Sequence, residues 1–295
     1  MRPMRLLGLK TFRHGVHPPE SKDETSGLAI RQFPFAPLLI VPLVQHMGAP
    51  SIPVVEEGQE VQRGQRIARP DGFMSVSMHA PASGLVRRIA LAPSISGRMV
   101  PAVYLEPFPG STQEVEDGAP CPLETSTRDE IIDAIQEAGV VGLGGAAFPP
   151  HVKLKVPEGK YVDTLIINGV ECEPFLTTDH RVMLEQSGDI FMGIRYLLKV
   201  SGAKKVIVAV EANKPDAAQH LREAFPDDID GSVEVLQVKY PQGAEKMLFS
   251  ALLGREVPSG DCLWTSTPSV ATWRPRHRSV TCCLGDGAFR SGSSP

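Results

Sequence analysis

The sequence predicts an α+β protein of more than one domain, with a β-rich N-terminal part followed by an α/β domain of three layers built on parallel strands. Short β-branched runs broken every few residues by Gly or Pro fill positions 36–106, the rhythm of a compact all-β unit. Between 125 and 260 apolar runs alternate with helical stretches of ten or more residues, the pattern of parallel βαβ units. The chain has 295 residues, and at roughly 100 to 200 residues per domain that length accommodates two cores. With 30 Lys+Arg against 34 Asp+Glu and 42% hydrophobic residues, it is neither disordered nor a binder of nucleic acid through a basic surface.

In chain order, residues 1–35 read as an extended lead-in rich in Pro, Gly and charge, with His14-Gly15-Val16-His17-Pro18-Pro19 inside it and no function legible from composition. Its start lacks a sustained apolar region and a small-residue cleavage site, which argues against a secretory signal. The 36–106 unit offers short strands at Leu39–Val44, Ile52–Val55, Val61, Ile67, Phe73–Met78, Leu85–Ile89 and Met99–Leu105. Turns fall at Glu57–Gln65 and His79–Val86, where glycines supply the positive φ that tight turns need. The arrangement resembles a barrel-sandwich hybrid, the fold of biotinyl and lipoyl carriers. Those carriers modify a hairpin-tip Lys, and this chain has none between Lys22 and Lys153, so the resemblance implies a structural or docking version.

The segment 125–260 opens with the capping box Thr127-x-x-Glu130 before Ile131, Ile132 and Ile135, and Gly139 closes that helix. A strand at Val162–Ile167, a helix at Arg181–Val200, a strand at Lys204–Val210, a helix at Lys214–Ala224, a strand at Val233–Val238 and a helix at Gly243–Leu253 follow. Ligands on such sheets bind at the carboxyl ends of the strands. From 261 to 295 the composition breaks. Both tryptophans, three of five cysteines and ten Ser or Thr fall there, with no Lys, Glu or Ile. This reads as an irregular tail produced by a frame change, and sequencing across residue 260 tests that reading. An α/β sheet ending after three strands would expose an unpaired edge and aggregate.

Three segments can carry chemistry. Gly142-Leu143-Gly144-Gly145-Ala146-Ala147-Phe148-Pro149 satisfies G-x-G-x-x-G/A as text, but it follows a helix rather than a strand, which disfavours the ordinary dinucleotide fingerprint. A loop of closely spaced glycines still presents backbone amides to a phosphate or a planar ring, and the plainer alternative is a flexible connection. Asn168-Gly169-Val170-Glu171-Cys172-Glu173-Pro174 lies just past the first α/β strand, where carboxylates suit ribityl or ribose hydroxyls, or form a solvated acidic loop. Tyr240-Pro241-Gln242-Gly243-Ala244-Glu245-Lys246 follows the third strand, with Glu245 also suited to the dipole of the next helix.

Gly142 to Lys153 followed by Asn168 to Pro174 resembles the flavin-binding core of the NADH-oxidising 51-kDa flavoprotein of complex I. A closer resemblance is to the C subunit of the Rnf/Rsx ion-translocating electron-transport complex, carried by Thr11–Pro19, Gln45–Pro50, His79–Gly84, Leu143–Pro149, Glu171–Arg181 and Tyr240–Pro258 in the same order. The resemblance implies FMN held by Gly142, Gly144, Gly145 and Lys153 at the phosphate region and by Asn168 and Glu171 near the ribityl chain. It implies NADH facing Phe148, Glu173 and Glu245, with Phe148 stacking on a ring. It also implies two 4Fe-4S clusters, partner subunits in a membrane complex, and a peripheral place on the cytoplasmic face of the bacterial inner membrane.

Beyond Gly260 the chain departs from that family, which continues with a strand bearing a flavin-contacting Asn and with a module of C-x2-C-x2-C-x3-C-P runs. Cys262, Cys282 and Cys283 lack that spacing, so cluster ligands are missing and onward electron flow would be impaired. With His277 they match no common zinc pattern. The rival to an electron-input role is a non-catalytic assembly or docking module of the same complex. A common NAD(P) dehydrogenase is disfavoured by the absence of a strand before the glycine loop.

Overall fold

The computed structural model describes residues 8–31, 34–95, 97–110, 115, 121–142, 147–156 and 161–254, and the backbone of three short strands beyond 268. The elements in order are α1 (Asp23–Ser26), β1 (Leu39–Pro42), β2 (Ile52–Pro53), β3 (Glu60–Val61), β4 (Arg66–Arg69), β5 (Met78–His79), β6 (Gly84–Pro93), β7 (Met99–Pro107), α2 (Arg128–Glu137) and α3 (Pro150–Leu154). Then follow β8 (Thr164–Gly169), α4 (Thr178–Glu185), α5 (Ser187–Ser201), β9 (Lys205–Glu211), α6 (Pro215–Glu223), β10 (Gly231–Leu236), α7 (Glu245–Leu253), β11 (Ser269–Val270), β12 (Trp273–Arg276) and β13 (Ser279–Cys282). Two compact units divide most of the chain, one spanning 31–152 and the other joining the residues up to 30 with 153–274.

The first unit is antiparallel. One sheet has the order β1-β7-β6-β3 and a second β2-β4-β5. Leu43, Val55, Val61, Ile67, Val86, Val103 and Leu105 close an aliphatic core. The expected strand Leu85–Ile89 runs on to Pro93, because Met99–Pro107 returns alongside it with pairing from Gly84↔Pro107 to Pro93↔Met99. The expected strand Phe73–Met78 is reduced to Met78–His79. Its first half instead meets the turn at Gly48, whose φ of 119° and close approach to the Met74 carbonyl leave no room for a Cβ.

The capping box forms as expected at the start of α2, with the Thr127 hydroxyl accepting from the Glu130 N–H and the Glu130 carboxylate accepting from the Thr127 N–H. Helix α2 docks on the loop between β4 and β5 of this first unit: Gln136 Nε2 donates to the carbonyls of Gly72 at 3.0 Å and Ser75 at 2.9 Å.

The second unit is a parallel sheet of order β10-β9-β8-β11. Five of the six β8 residues are buried, as befits a strand covered on both faces. Helix α7 lays Leu248, Ala251 and Leu252 against Ile166, Ala209 and Leu236, while α5 and α6 bury Ile194, Leu197, Ala217 and Leu221. The single helix expected over Arg181–Val200 is two helices divided at Gln186, which has φ −139° and ψ 34°. Ser187 and Gly188 are weak helix formers, and the Ser187 hydroxyl is held 3.0 Å from His220 Nε2 of α6. The sheet does not end after three strands, since β11 runs parallel to β8 with Ser269↔Leu165 and Val270↔Ile166. In the expected irregular tail, β12 and β13 form a further two-stranded sheet.

The lead-in joins this second unit. Lys10 bridges Leu236 and Val16 bridges Tyr240, and Lys239 Nζ donates to the carbonyls of Phe12 and His14. A segment rich in Pro and Gly thus lies along the carboxyl side of the sheet, held mostly by its own backbone.

Candidate functional site

The parallel sheet sends β8, β9 and β10 toward one rim, so the segments that follow them meet there. Asn168, the penultimate residue of β8, accepts the Val170 N–H at 3.1 Å and donates through Nδ2 to the Gly243 carbonyl at 2.9 Å. The Gly243 N–H in turn points at Cys172 Sγ at 3.4 Å. A Cβ at Gly243 would stand 2.6 Å from the Val170 carbonyl, so only glycine permits this approach. Two of the three segments singled out in the sequence are therefore knitted together by Asn168, Cys172 and Gly243.

Beneath them sits a cluster of buried charge. Glu171 has no exposed surface. Its Oε1 accepts the Asp179 N–H at 2.9 Å in the first turn of α4, where a carboxylate suits the helix dipole. Its Oε2 has no hydrogen-bond partner and lies 3.9 Å from Lys22 Nζ. Burial, with the nearby charge of Asp179 adding to it, pushes the Glu171 carboxyl up to about 7. Lys22, in the lead-in, donates to the main-chain carbonyls of Glu171 and Glu173 at 2.9 Å each and to that of Leu176. Burial lowers its pKa, and the Lys214 charge lowers it further.

Lys214 donates to Glu211 Oε2 at 2.9 Å, to Asn213 Oδ1 at 3.0 Å and to the Glu171 carbonyl at 3.3 Å. Glu211 is raised by burial, and its Oε1 is without a hydrogen-bond partner. A cavity of mixed lining, with Pro18, Pro174 and Val238 beside Glu20, Lys22 and Glu211, opens at this rim.

The remaining expected site residues fall in different places. Lys153 forms an ion pair with Glu245 in the second unit. Glu173 is partly buried and its Oε2 has no hydrogen-bond partner. Gly142, whose N–H donates to the Phe148 carbonyl at 3.2 Å, and Phe148 itself belong to the first unit. Gly144 and Gly145 lie outside the described residues, as do Cys262, His277, Cys283 and the side chain of Cys282. Among the described residues no group of three or more His, Cys, Asp or Glu is placed to hold a metal, and no helix is long and apolar enough to cross a membrane.

For a flavin mononucleotide the fit is particular. The unpartnered oxygens of Glu171 and Glu173 are acceptors suited to hydroxyl donors, whereas the Asn168 amide is already engaged within the loops. Lys22, Glu211 and Lys214 were not among the residues singled out from the sequence. Glu211 ends the strand Lys205–Glu211 and Lys214 precedes α6 three positions on, a readable charged pair, but Lys22 meets partners about 150 positions away and has no local signal.

Comparison with known proteins agrees with this architecture. Residues 10–108 match the RnfC barrel sandwich hybrid domain and residues 135–270 the Nuo51 FMN-binding domain. The C subunit of the Na(+)-translocating ferredoxin:NAD(+) oxidoreductase complex of Acetobacterium woodii is 42% identical over 250 residues, covering 85% of this chain and 56% of the relative. The C subunit of the proton-translocating ferredoxin:NAD(+) oxidoreductase complex of Clostridium ljungdahlii is 44% identical over 255 residues, covering 85% and 55%. The C subunit of the ion-translocating oxidoreductase complex of Haemophilus influenzae is 39% identical over 252 residues, covering 85% and 38%. The chain thus spans about half the length of the first two of these relatives. The chain thus carries an RnfC barrel sandwich hybrid domain followed by a Nuo51 FMN-binding domain, and over most of its residues it is similar to the C subunits of ion-translocating oxidoreductase complexes.

Proposed function

We propose that this chain is the electron-input part of an RnfC protein, taking electrons between NADH and FMN as a member of a multisubunit membrane complex to which it attaches peripherally. The observation that carries this reading is the FMN-binding domain match over residues 135–270, with buried, unpartnered carboxylate oxygens gathered at the carboxyl ends of that domain's strands. When bound, a flavin supplies the conversion of a two-electron hydride into single electrons. The protein supplies position and charge. Glu173 and Glu171 accept from ligand hydroxyls, with the latter fixed by Asp179 and backed by Lys22. Lys153, steered by Glu245, serves the phosphate, and Glu173 and Glu245 face the nicotinamide nucleotide; the family resemblance by itself assigns Gly142, Gly144 and Gly145 to the phosphate and Phe148 to the nucleotide. Asn168 contributes by holding the Gly243 loop against the Val170 loop. The 4Fe-4S clusters and the ion-moving subunits belong to the complex as a whole.

The test is a visible spectrum of the purified chain after incubation with FMN and desalting, then addition of NADH without oxygen. Retained flavin absorbance that bleaches with NADH is the expected result. A colourless chain overturns the redox reading and leaves the assembly module as the function.

A further inference from the structure

Phe175 stands out at the same rim. It is 70% exposed, yet its backbone sits at φ 69°, a left-handed conformation that side chains other than Gly, Asn and Asp seldom adopt. Such strain persists where neighbours over-determine it. Here the neighbours come from the lead-in: the Phe175 N–H donates to the Glu20 carbonyl at 2.9 Å, and the Lys22 ammonium gathers the carbonyls of Glu173 and Leu176 on either side. Glu20 is itself fixed, its Oε2 accepting from Asn213 Nδ2 at 2.6 Å, and Thr177 Oγ1 donates to Thr25 Oγ1 at 2.8 Å. A strap 149 to 154 positions upstream therefore clamps Glu171–Thr177 so that one aromatic ring is held out two positions from Glu173, whose Oε1 accepts from Cys172 Sγ while its Oε2 has no hydrogen-bond partner.

We propose that Phe175 is a ring-stacking residue for the nicotinamide dinucleotide, presented by the Lys22 strap; this rests on the NADH-linked function proposed above. An exposed ring on the segment that also carries the Glu173 Oε2, which has no hydrogen-bond partner, suits a planar heteroaromatic ligand, because stacking needs one flat apolar face with polar groups at its edge. A protein partner would need a far larger apolar patch. The ring's strained backbone has no use in packing, since the side chain buries little of itself.

The test uses the full chain reconstituted with FMN and reads NADH affinity by fluorescence titration of the oxygen-free, flavin-bleached protein, beside thermal melting. Phe175→Asn keeps a residue that tolerates the left-handed conformation but removes the ring. It should melt at or above the parent temperature and bind NADH about 3- to 10-fold more weakly, the range a lost aromatic contact gives. Phe175→Tyr should restore parental affinity. Equal affinity in the Asn and parent chains overturns the stacking role while the NADH-linked reading stands. A parent chain that binds no NADH overturns that reading and the stacking role with it. Lys22→Met reads the strap itself: the loop amides of Phe175 and Leu176 should exchange faster with deuterium, and unchanged exchange overturns the clamping.

Discussion

Around Leu43, Ile67 and Val103 the antiparallel unit closes on aliphatic side chains, whereas the rim of the parallel sheet buries Glu171 and Glu211 beside Lys22 and Lys214. Among the described residues every buried carboxylate and every buried lysine is in the second unit. Aliphatic packing stabilises at roughly 25 cal/mol per Å² and asks nothing of its neighbours but shape. Buried charge is costly unless every partner is in place, and replacing it with apolar groups is often neutral or better. A fold that nonetheless retains such charges at the carboxyl ends of its strands points to chemistry there, the place where open α/β sheets take their ligands.

Four substitutions break or sharpen this contrast, taken from the largest expected effect downward. Lys214→Met removes the only ammonium donating to Glu211 among the described contacts and leaves a buried acid uncompensated. Denaturant unfolding should register a loss of about 3–5 kcal/mol; a change under about 1 kcal/mol would show that the cluster is not a closed electrostatic unit. In the first unit, Gly48→Ala forces a Cβ to within 1.9 Å of the Met74 carbonyl at φ 119°, and about 2–3 kcal/mol should be lost by the same measurement.

The third concerns pH. Glu171 is held near 7 in the folded chain against 4.5 ordinarily, so the folded state binds the extra proton. Its contribution to stability is full below about 4.5 and is lost as pH rises through about 7. Glu171→Gln keeps an acceptor for the Asp179 N–H and should flatten that decline, by on the order of 1–2 kcal/mol between about pH 5 and 8. Parallel pH profiles for the two chains would remove Glu171 as its source. The smallest effect is Thr127→Ala, which deletes a capping box on α2 and should cost about 1 kcal/mol. Amide exchange in the first turn of α2 should speed up, and unaltered protection would contradict the cap's role.

The split between what was legible and what was not follows the range of the interactions. The capping box at Thr127 and Glu130 spans three positions, and the alternation of apolar runs over Lys205–Glu211 and Gly231–Leu236 is a property of short windows, so both could be read directly. The break at Gln186 was missed because the apolar spacing of Ile190, Ile194 and Leu197 continues a helical period across Ser187 and Gly188, and the contact to His220 that fixes the division comes from another helix. Asn168, Glu171 and Glu173 were found as a polar cluster past a strand, but their separate roles were not. Whether an amide faces a ligand or a loop depends on where Gly243 lies, 75 positions away.

By itself the sequence determined the order of the two folds, the turns that need glycine, the helix starts and the polar segments that follow each parallel strand, because each rests on backbone sterics or periodicity within a few residues. Only the tertiary structure decided that the lead-in is part of the site. Lys22 meets the carbonyls of Glu171, Glu173 and Leu176, and Glu20 meets Phe175, across about 150 positions. A lysine's partners at that separation depend on the folded path of the chain, which no local pattern records.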